Sequence, residues 1–167
     1  SAITSAKAGN ASVFVATSGG TRVVAYYALA SCGVANDPTI TPGAVRRNAP
    51  DPVPCLLLGQ LATDVGWAGR GIGSGLVKHA LERCVQAAAL VGGRALMVNA
   101  IDDDAAAFWR RRRFLPSKDD PLLLIQPIAA DEVAMAVARV ATASARNGHI
   151  DIGGPDRISF ADLAAAV

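Results

Sequence analysis

Along this 167-residue chain the spacing of hydrophobic positions changes several times. Ala11 to Thr17 (ASVFVAT) and Thr21 to Val34 (TRVVAYYALASCGV) are rich in β-branched and aromatic residues, which predicts two strands. The Ser-Gly-Gly between them predicts a tight turn and an antiparallel hairpin. Five prolines between Asn36 and Pro54 predict a long, exposed loop. Cys55 to Thr63 (CLLLGQLAT) is an apolar block, expected to form a central strand buried on both faces. From Gly75 the spacing becomes helical. Leu76, Val77, Ala80, Leu81, Cys84, Val85 and Ala88 fall on one face, and Gly92-Gly93 stops the helix just past Leu90.

Arg94 to Ile101 (RALMVNAI) predicts a further strand. Asp102 to Asp104 are placed to cap a short helix over AAAFWRRR, and Pro121 to Ile128 predicts a last strand. The order β-β-loop-β-α-β-α-β belongs to an α/β fold with a mixed sheet and flanking helices. Residues 129–167 read differently. DEVAMAVARVATASA has the spacing of an amphipathic helix, followed by a short strand, a turn and a helix capped by Ser159 or Asp162. The expected organisation is a domain over residues 1–128 and a helix-strand-helix extension over 129–167, a C-terminal appendage.

Composition narrows the function. Hydrophobic residues make up 51% of the chain and charged ones 18%, a globular balance rather than a disordered one. The net charge of +2 gives no bulk attraction to nucleic acid, so the local run Arg110–Arg113 matters more. Three separated cysteines and two histidines, with no Cys-x-x-Cys, predict no metal site and no secreted disulfide framework. No apolar run reaches membrane-spanning length and the first residues lack a signal-peptide core, so the expectation is a cytoplasmic protein without a membrane partner.

The richest chemistry lies in TDVGWAGRGIGSGLVKHALERC, Thr63 to Cys84. Gly69, Gly71, Gly73 and Gly75 stand between an apolar strand and a helix. Glycines permit sharp turns and close backbone approach, and the first helix amides have no internal partners, so an anion fits there. A phosphate-loop NTPase requires Lys-Ser or Lys-Thr after its glycines, and Ser74-Gly75 stand there instead. A dinucleotide fold places its glycines after the first strand, whereas these follow the third. A glycine-rich turn with no ligand is the other reading of the same residues.

The segment LATDVGWAGRGIGSGLVKHAL resembles the acyl-CoA-binding segment of the GCN5-related N-acetyltransferases. In their usual pattern Gln or Arg precedes the two small residues, and here Ala68 takes that place before Gly71 and Gly73. Together with RVVAYYALA, LLLGQLATD, ALMVNAIDDDAAAFW and FLPSKDDPLLLIQPI, the resemblance is to the acetyltransferase toxins of bacterial toxin–antitoxin pairs. It covers roughly Ala11 to Ile128. It implies an acetyl-CoA-dependent toxin that acetylates the α-amino group of aminoacyl-tRNA and blocks translation, held in check by a ribbon-helix-helix antitoxin. It implies a cofactor site formed by Leu61, Ala62 and Thr63 on the strand, by Ala68, Gly69, Arg70, Gly71, Ile72, Gly73 and Ser74 in the loop, and by Phe108. Leu61 or Ala62 would supply the amide that polarises the thioester. Asn99 stands where related toxins carry a histidine or asparagine.

The chain departs from that pattern at the short helix. The family tyrosine that protonates the leaving thiolate is Trp109 here, a degenerate general-acid position, and the family glycine after it is Arg113. An indole N–H donates a hydrogen bond but is not a proton-transfer acid. Water, Tyr26 or Tyr27 are the substitutes, and since neighbours on a strand face opposite ways, core packing competes for one tyrosine. Trp109 remains free to pack on CoA or help polarise it. Arg110 and Arg111, with Tyr26, are the candidate substrate contacts, phosphates being met by clustered positive charge. Arg46 and Arg47 are weaker candidates. Asp102 and Asp103 read as helix caps rather than bases, His79 as a surface residue and Met97 as core.

These departures keep other readings open. One is a catalytically impaired protein that binds CoA, an antitoxin or its own copy, and another is acetylation of a small amine or protein N-terminus. The family fold normally opens with a strand and one or two helices, and the resemblance implies a chain without that first strand and helix, whose apolar surface the tail or a second copy, as in a homodimer, would be expected to cover. The end, NGHIDIGGPDRISFADLAAAV, weakly resembles a fragment of an NmrA-like NAD(P)-binding reductase without its cofactor-binding part, and implies no redox activity.

Overall fold

The computed structural model describes residues 11–129, residue 131 and the backbone of residues 157–159. The strands β1 (Ser12–Ser18) and β2 (Arg22–Val34) form the expected antiparallel hairpin, with Phe14 opposite Tyr27 and Ser18 opposite Arg22. Gly19 and Gly20 make the turn at φ +63° and +86°, values that residues with side chains rarely adopt. The register shifts between Ala16 and Thr17, a local irregularity in the hairpin.

The proline-rich segment is not the long, exposed loop that its composition predicts. It contains the short helix α1 (Gly43–Arg46), which buries Val45. Thr41 is buried and its hydroxyl donates to the Ala35 carbonyl at 2.7 Å, while the Asn36 amide donates to the Ala49 carbonyl at 2.9 Å. Prolines are disfavoured in helix interiors and remove a strand donor, but they leave these side-chain ties free to fold the segment.

Next, β3 (Val53–Thr63) begins two residues before the apolar block. It is central, as expected, in the strand order β5-β6-β4-β3-β2-β1-β7. It is not buried on both faces. Val53, Cys55 and Leu58 are buried, whereas Pro54, Gly59, Gln60 and Ala62 are exposed. The apolar run ends at Leu58, and the small and polar residues after it gain little from burial. A 3₁₀ turn (Val65–Trp67), which hydrophobic spacing did not reveal, leads to α2 (Ile72–Val91). The helix starts three residues earlier than the apolar pattern predicts, so Gly73 and Gly75 lie within it. Burial of Ile72 and Leu76 outweighs the poor helix propensity of those glycines.

The rest of the order holds: β4 (Ala95–Asn99), α3 (Asp103–Arg110), a two-residue β5 (Leu115–Pro116) and β6 (Leu123–Pro127). β6 pairs antiparallel with both β4 and β5. β7 (Arg157–Ser159) pairs parallel with β1. The fold is therefore a mixed α/β sheet with flanking helices. Ser159 is the last residue of that strand, and the helix expected to be capped by Ser159 or Asp162, like the one expected before it, lies outside the described residues. No helix among the described residues is long and apolar enough to cross a membrane.

The chain divides into two compact units, residues 1–30, 58–83 and 143–167, and residues 31–57 and 84–142. In the first, Phe14, Ala16, Val24, Tyr27, Leu58, Leu76, Val77 and Ala80 are buried. In the second, Val34, Val45, Val53, Cys55, Ala95, Met97 and Ile125 form one cluster, with Met97 in the core as expected. Burial pushes the Cys84 and Cys55 thiols up to about 12, and raises Cys32 as well.

The end of α3 explains one departure from the family pattern. The Phe114 amide donates to the Trp109 carbonyl at 3.3 Å and the Arg113 amide to the Arg110 carbonyl at 3.0 Å. These two bonds make a Schellman motif, whose turning residue is left-handed and usually glycine. Arg113 is that residue, at φ +67°. The apolar contact that accompanies such motifs is present too, between Trp109 and Phe114 with centroids 5.0 Å apart.

Arg113→Gly removes the left-handed penalty and stabilises the chain by about 0.5–1 kcal/mol after the entropy of glycine is subtracted, read as a higher urea midpoint. For the thiols, the neutral forms are favoured by folding. Their contribution is complete below the ordinary pKa of 9.0 and is lost as pH rises towards about 12, so the urea midpoint falls over that window. At pH 8 the folded Cys55 and Cys84 react with a disulfide reagent on the order of 10³-fold more slowly than in urea. Equal rates in both states would contradict the burial.

Candidate active site

The glycine-led start of α2 is built from the end of β3 onward. The Asp64 amide donates to the Val24 carbonyl at 2.8 Å, closing β3 against β2. The Asp64 carboxylate then accepts from the Gly66 amide at 2.8 Å and starts the 3₁₀ turn. It also lies 3.6 Å from the Arg22 guanidinium, an exposed pair of small energetic weight. Ala68 is extended, and Gly69 and Gly71 follow at φ +75° and +79°. A Cβ on Gly69 would meet nothing within 4 Å, so backbone geometry rather than lack of space favours glycine there.

The Gly71 carbonyl accepts from the Gly75 amide at 3.0 Å and closes the first helical turn. No helix carbonyl precedes the amides of Ile72 and Gly73, and the helix dipole favours negative charge in front of them. The first turn carries no acidic residue that would occupy that position. The Ile72 side chain is buried, which leaves its backbone N–H as the group it can offer a ligand. Arg70 adds a positive charge, its guanidinium 4.8 Å from the Trp67 ring centroid. This arrangement fits a diphosphate.

Beside it, Leu61 and Thr63 are half-buried and Ala62 is exposed. The two tyrosines separate as strand geometry requires. Tyr26 is half-buried, while Tyr27 is fully buried, stacked on Phe14 at 4.8 Å, and bonded through its hydroxyl to His79 Nδ1 at 2.6 Å. His79 is thus not the surface residue expected. Its helical phase, three residues after the buried Leu76 and four before Arg83, carried that signal.

The remaining candidates belong to the second unit. Asn99 ends β4 with an exposed side chain. Asp102 caps α3 as expected, accepting from the Ala105 amide at 2.8 Å. Trp109 is 7% exposed and lies edge-on to Phe108 and Phe114, so its indole is an element of the core. Phe108 is half-buried beneath Arg112, whose Cζ lies 3.4 Å from the ring centroid and whose Nη1 donates to the Phe108 carbonyl. Burial and the neighbouring Arg111 lower the Arg112 pKa. Arg110 and Arg111 are exposed. The structure therefore gathers Tyr26, Leu61–Thr63 and Ala68–Ser74 in one unit, and Asn99, Phe108, Trp109, Arg110 and Arg111 in the other.

No protein-family model matches the chain. The structure of a tyrosine-to-phenylalanine mutant of KacT matches with TM-score 0.68 and 25% identity, over 79% of this chain and 78% of that one. A tyrosine-to-phenylalanine mutant of the AtaT toxin, bound to the C-terminus of the antitoxin AtaR and acetyl-CoA, matches with TM-score 0.53 and 26% identity, over 70% of this chain and 64% of that one. The fold is that of the GCN5-related N-acetyltransferases. A tRNA-acetylating toxin of Mycobacterium tuberculosis (strain ATCC 25618 / H37Rv) is 52% identical over 104 residues, 62% of this chain. That match spans 61% of the toxin's length. The chain is closely related to tRNA-acetylating toxins of this fold in both sequence and structure.

The left-handed glycine can be tested directly. Gly71→Ala costs about 1–2 kcal/mol, because a side chain is disfavoured at its φ of +79°. Gly43→Ala, at the start of α1 with nothing within 4 Å, instead stabilises by about 0.4–1 kcal/mol. Urea denaturation of both variants reads the contrast, and equal effects would remove the argument for a strained helix start.

Proposed function

We propose that the chain is an acetyl-CoA-dependent N-acetyltransferase toxin that acetylates the α-amino group of aminoacyl-tRNA and so blocks translation. The observation that carries this reading is the left-handed entry through Gly69 and Gly71 into α2, with unpaired amide donors in front of a helix whose first turn holds no acid. Acetyl-CoA supplies an acyl group activated as a thioester. The amides of Ile72 and Gly73 hold its diphosphate, and Arg70 adds charge beside them. The backbone of Leu61 to Thr63 binds the pantetheine arm, and the amide of Leu61 or Ala62 polarises the thioester carbonyl. Exposed Arg110 and Arg111 meet tRNA phosphates. The α-amino group of an aminoacyl ester loses its proton readily, so no dedicated base is required. The 52% identical relative and the neighbouring structure with acetyl-CoA and antitoxin support this assignment, together with an antitoxin partner of the AtaR kind.

The leaving thiolate is where this chain differs. Trp109 is buried among Phe108 and Phe114, and its indole N–H is far too weak an acid to protonate sulfur. Its protonation therefore falls to water or to the half-buried Tyr26. The same observation favours a second reading, a weakened enzyme that retains CoA and antitoxin binding. Radiolabelled acetyl-CoA and a set of charged tRNAs separate the two. Transfer of label to an α-amino group supports the toxin, and tight CoA binding without transfer supports the binder. Trp109→Tyr is expected to raise kcat by about 10-fold or more if general acid catalysis limits the reaction. An unchanged kcat would show that position 109 does not limit it.

A further inference from the structure

The first turn of α2 combines the buried side chain of Ile72 with two glycines. Of its first four residues, Ile72, Gly73, Ser74 and Gly75, two carry no side chain. Burial of Leu76, Val77 and Ala80 holds the helix against its neighbours, but apolar attraction is not directional. Two turns along, about 10 Å from Ile72, His79 makes a directional contact. Its Nδ1 lies 2.6 Å from the Tyr27 hydroxyl. Tyr27 is a fixed point, because its ring is 0% exposed and stacked on Phe14 with an interplanar angle of 11°. The His79 ring stands edge-on to both aromatic rings at 5.8 Å. One turn further, the Arg83 guanidinium lies 5.9 Å from the Phe14 centroid.

We propose that the Tyr27–His79 hydrogen bond positions the amide-bearing mouth of α2, making both side chains positioning residues for the acyl carrier. The proposal rests on the cofactor reading above. This short polar contact joins β2 to α2 inside an aromatic cluster and adds a directional restraint to the axial rotation that the buried face of the helix sets. A turn of the helix about its axis redirects the Ile72 and Gly73 amides, and misplacement by about 1 Å is enough to weaken a preorganised site severely. The contact tolerates either state of the ring. Neutral imidazole accepts at Nδ1 from the hydroxyl, and imidazolium donates there to the hydroxyl oxygen.

The test uses the full chain carrying Tyr27→Phe, His79→Leu or both. Tyr27→Phe keeps the ring stack and removes only the hydroxyl. Calorimetric titration with CoA and hydrogen exchange at the Gly75 amide, which closes the first turn on Gly71, are measured together. Ile125→Val, in the core of the second unit, serves as a comparison for general destabilisation. Each single variant is expected to weaken CoA binding about 3- to 10-fold, with kcat within about 2-fold, and the double variant no further. Exchange at Gly75 is expected to exceed that in Ile125→Val. Unchanged CoA affinity in Tyr27→Phe overturns the proposal, even if the variant is less stable. Gly75 exchange equal to that in Ile125→Val overturns it as well. If the unaltered chain binds no CoA, the cofactor reading fails, and the exchange comparison alone decides whether the bond sets the first turn.

Discussion

The left-handed backbone at Gly71 is the constraint on which the site depends. It leads the loop into the helix, and the Gly71 carbonyl closes the first turn of α2. The amides of Ile72 and Gly73 open that turn with no helix carbonyl before them. The local energetics are consistent with this role. The helix accepts two glycines in its opening residues, and the apolar side chains of Ile72 and Leu76 compensate for them. Bulkier residues at positions 73 and 75 would improve helix propensity.

The second unit supplies a different kind of order. α3 is capped at one end by Asp102 and turned back at the other through Arg113, so its eight residues are fixed at both ends. Between these ends, Trp109 fills the space between two phenylalanines. A residue in such a position is selected first for volume and only then for chemistry. An indole at this position supplies a large aromatic surface that holds α3 against Phe114.

Much of this was legible in the sequence, for physical reasons that differ by element. The hairpin was readable because its β-branched runs flank a glycine turn, and α2 because its apolar face repeats over several turns. The cap at Asp102 was readable because an aspartate just before an alanine run has few other roles. The start of α2 was not, because glycine carries no apolar signal and the decisive interaction is the burial of one residue, Ile72. α1 was hidden by its prolines, since the ties from Thr41 and Asn36 reach carbonyls several residues away. In the candidate site, the glycine loop was visible as a pattern. The Tyr27–His79 bond joins residues 52 positions apart and has no local signature. The burial of Trp109 needed Phe114, which the motif alone does not connect to it.

The four arginines that end α3 are unequal, and this limits how an electrolyte would act on any complex with a polyanion. Arg112 is stacked on Phe108 and bonded to a main-chain oxygen, while Arg110, Arg111 and Arg113 are exposed. Each phosphate neutralised by a solvent-facing cation releases close to one condensed counterion. This run can therefore account for about three released ions rather than four, and any steeper dependence on ionic strength must originate from basic residues elsewhere on the surface.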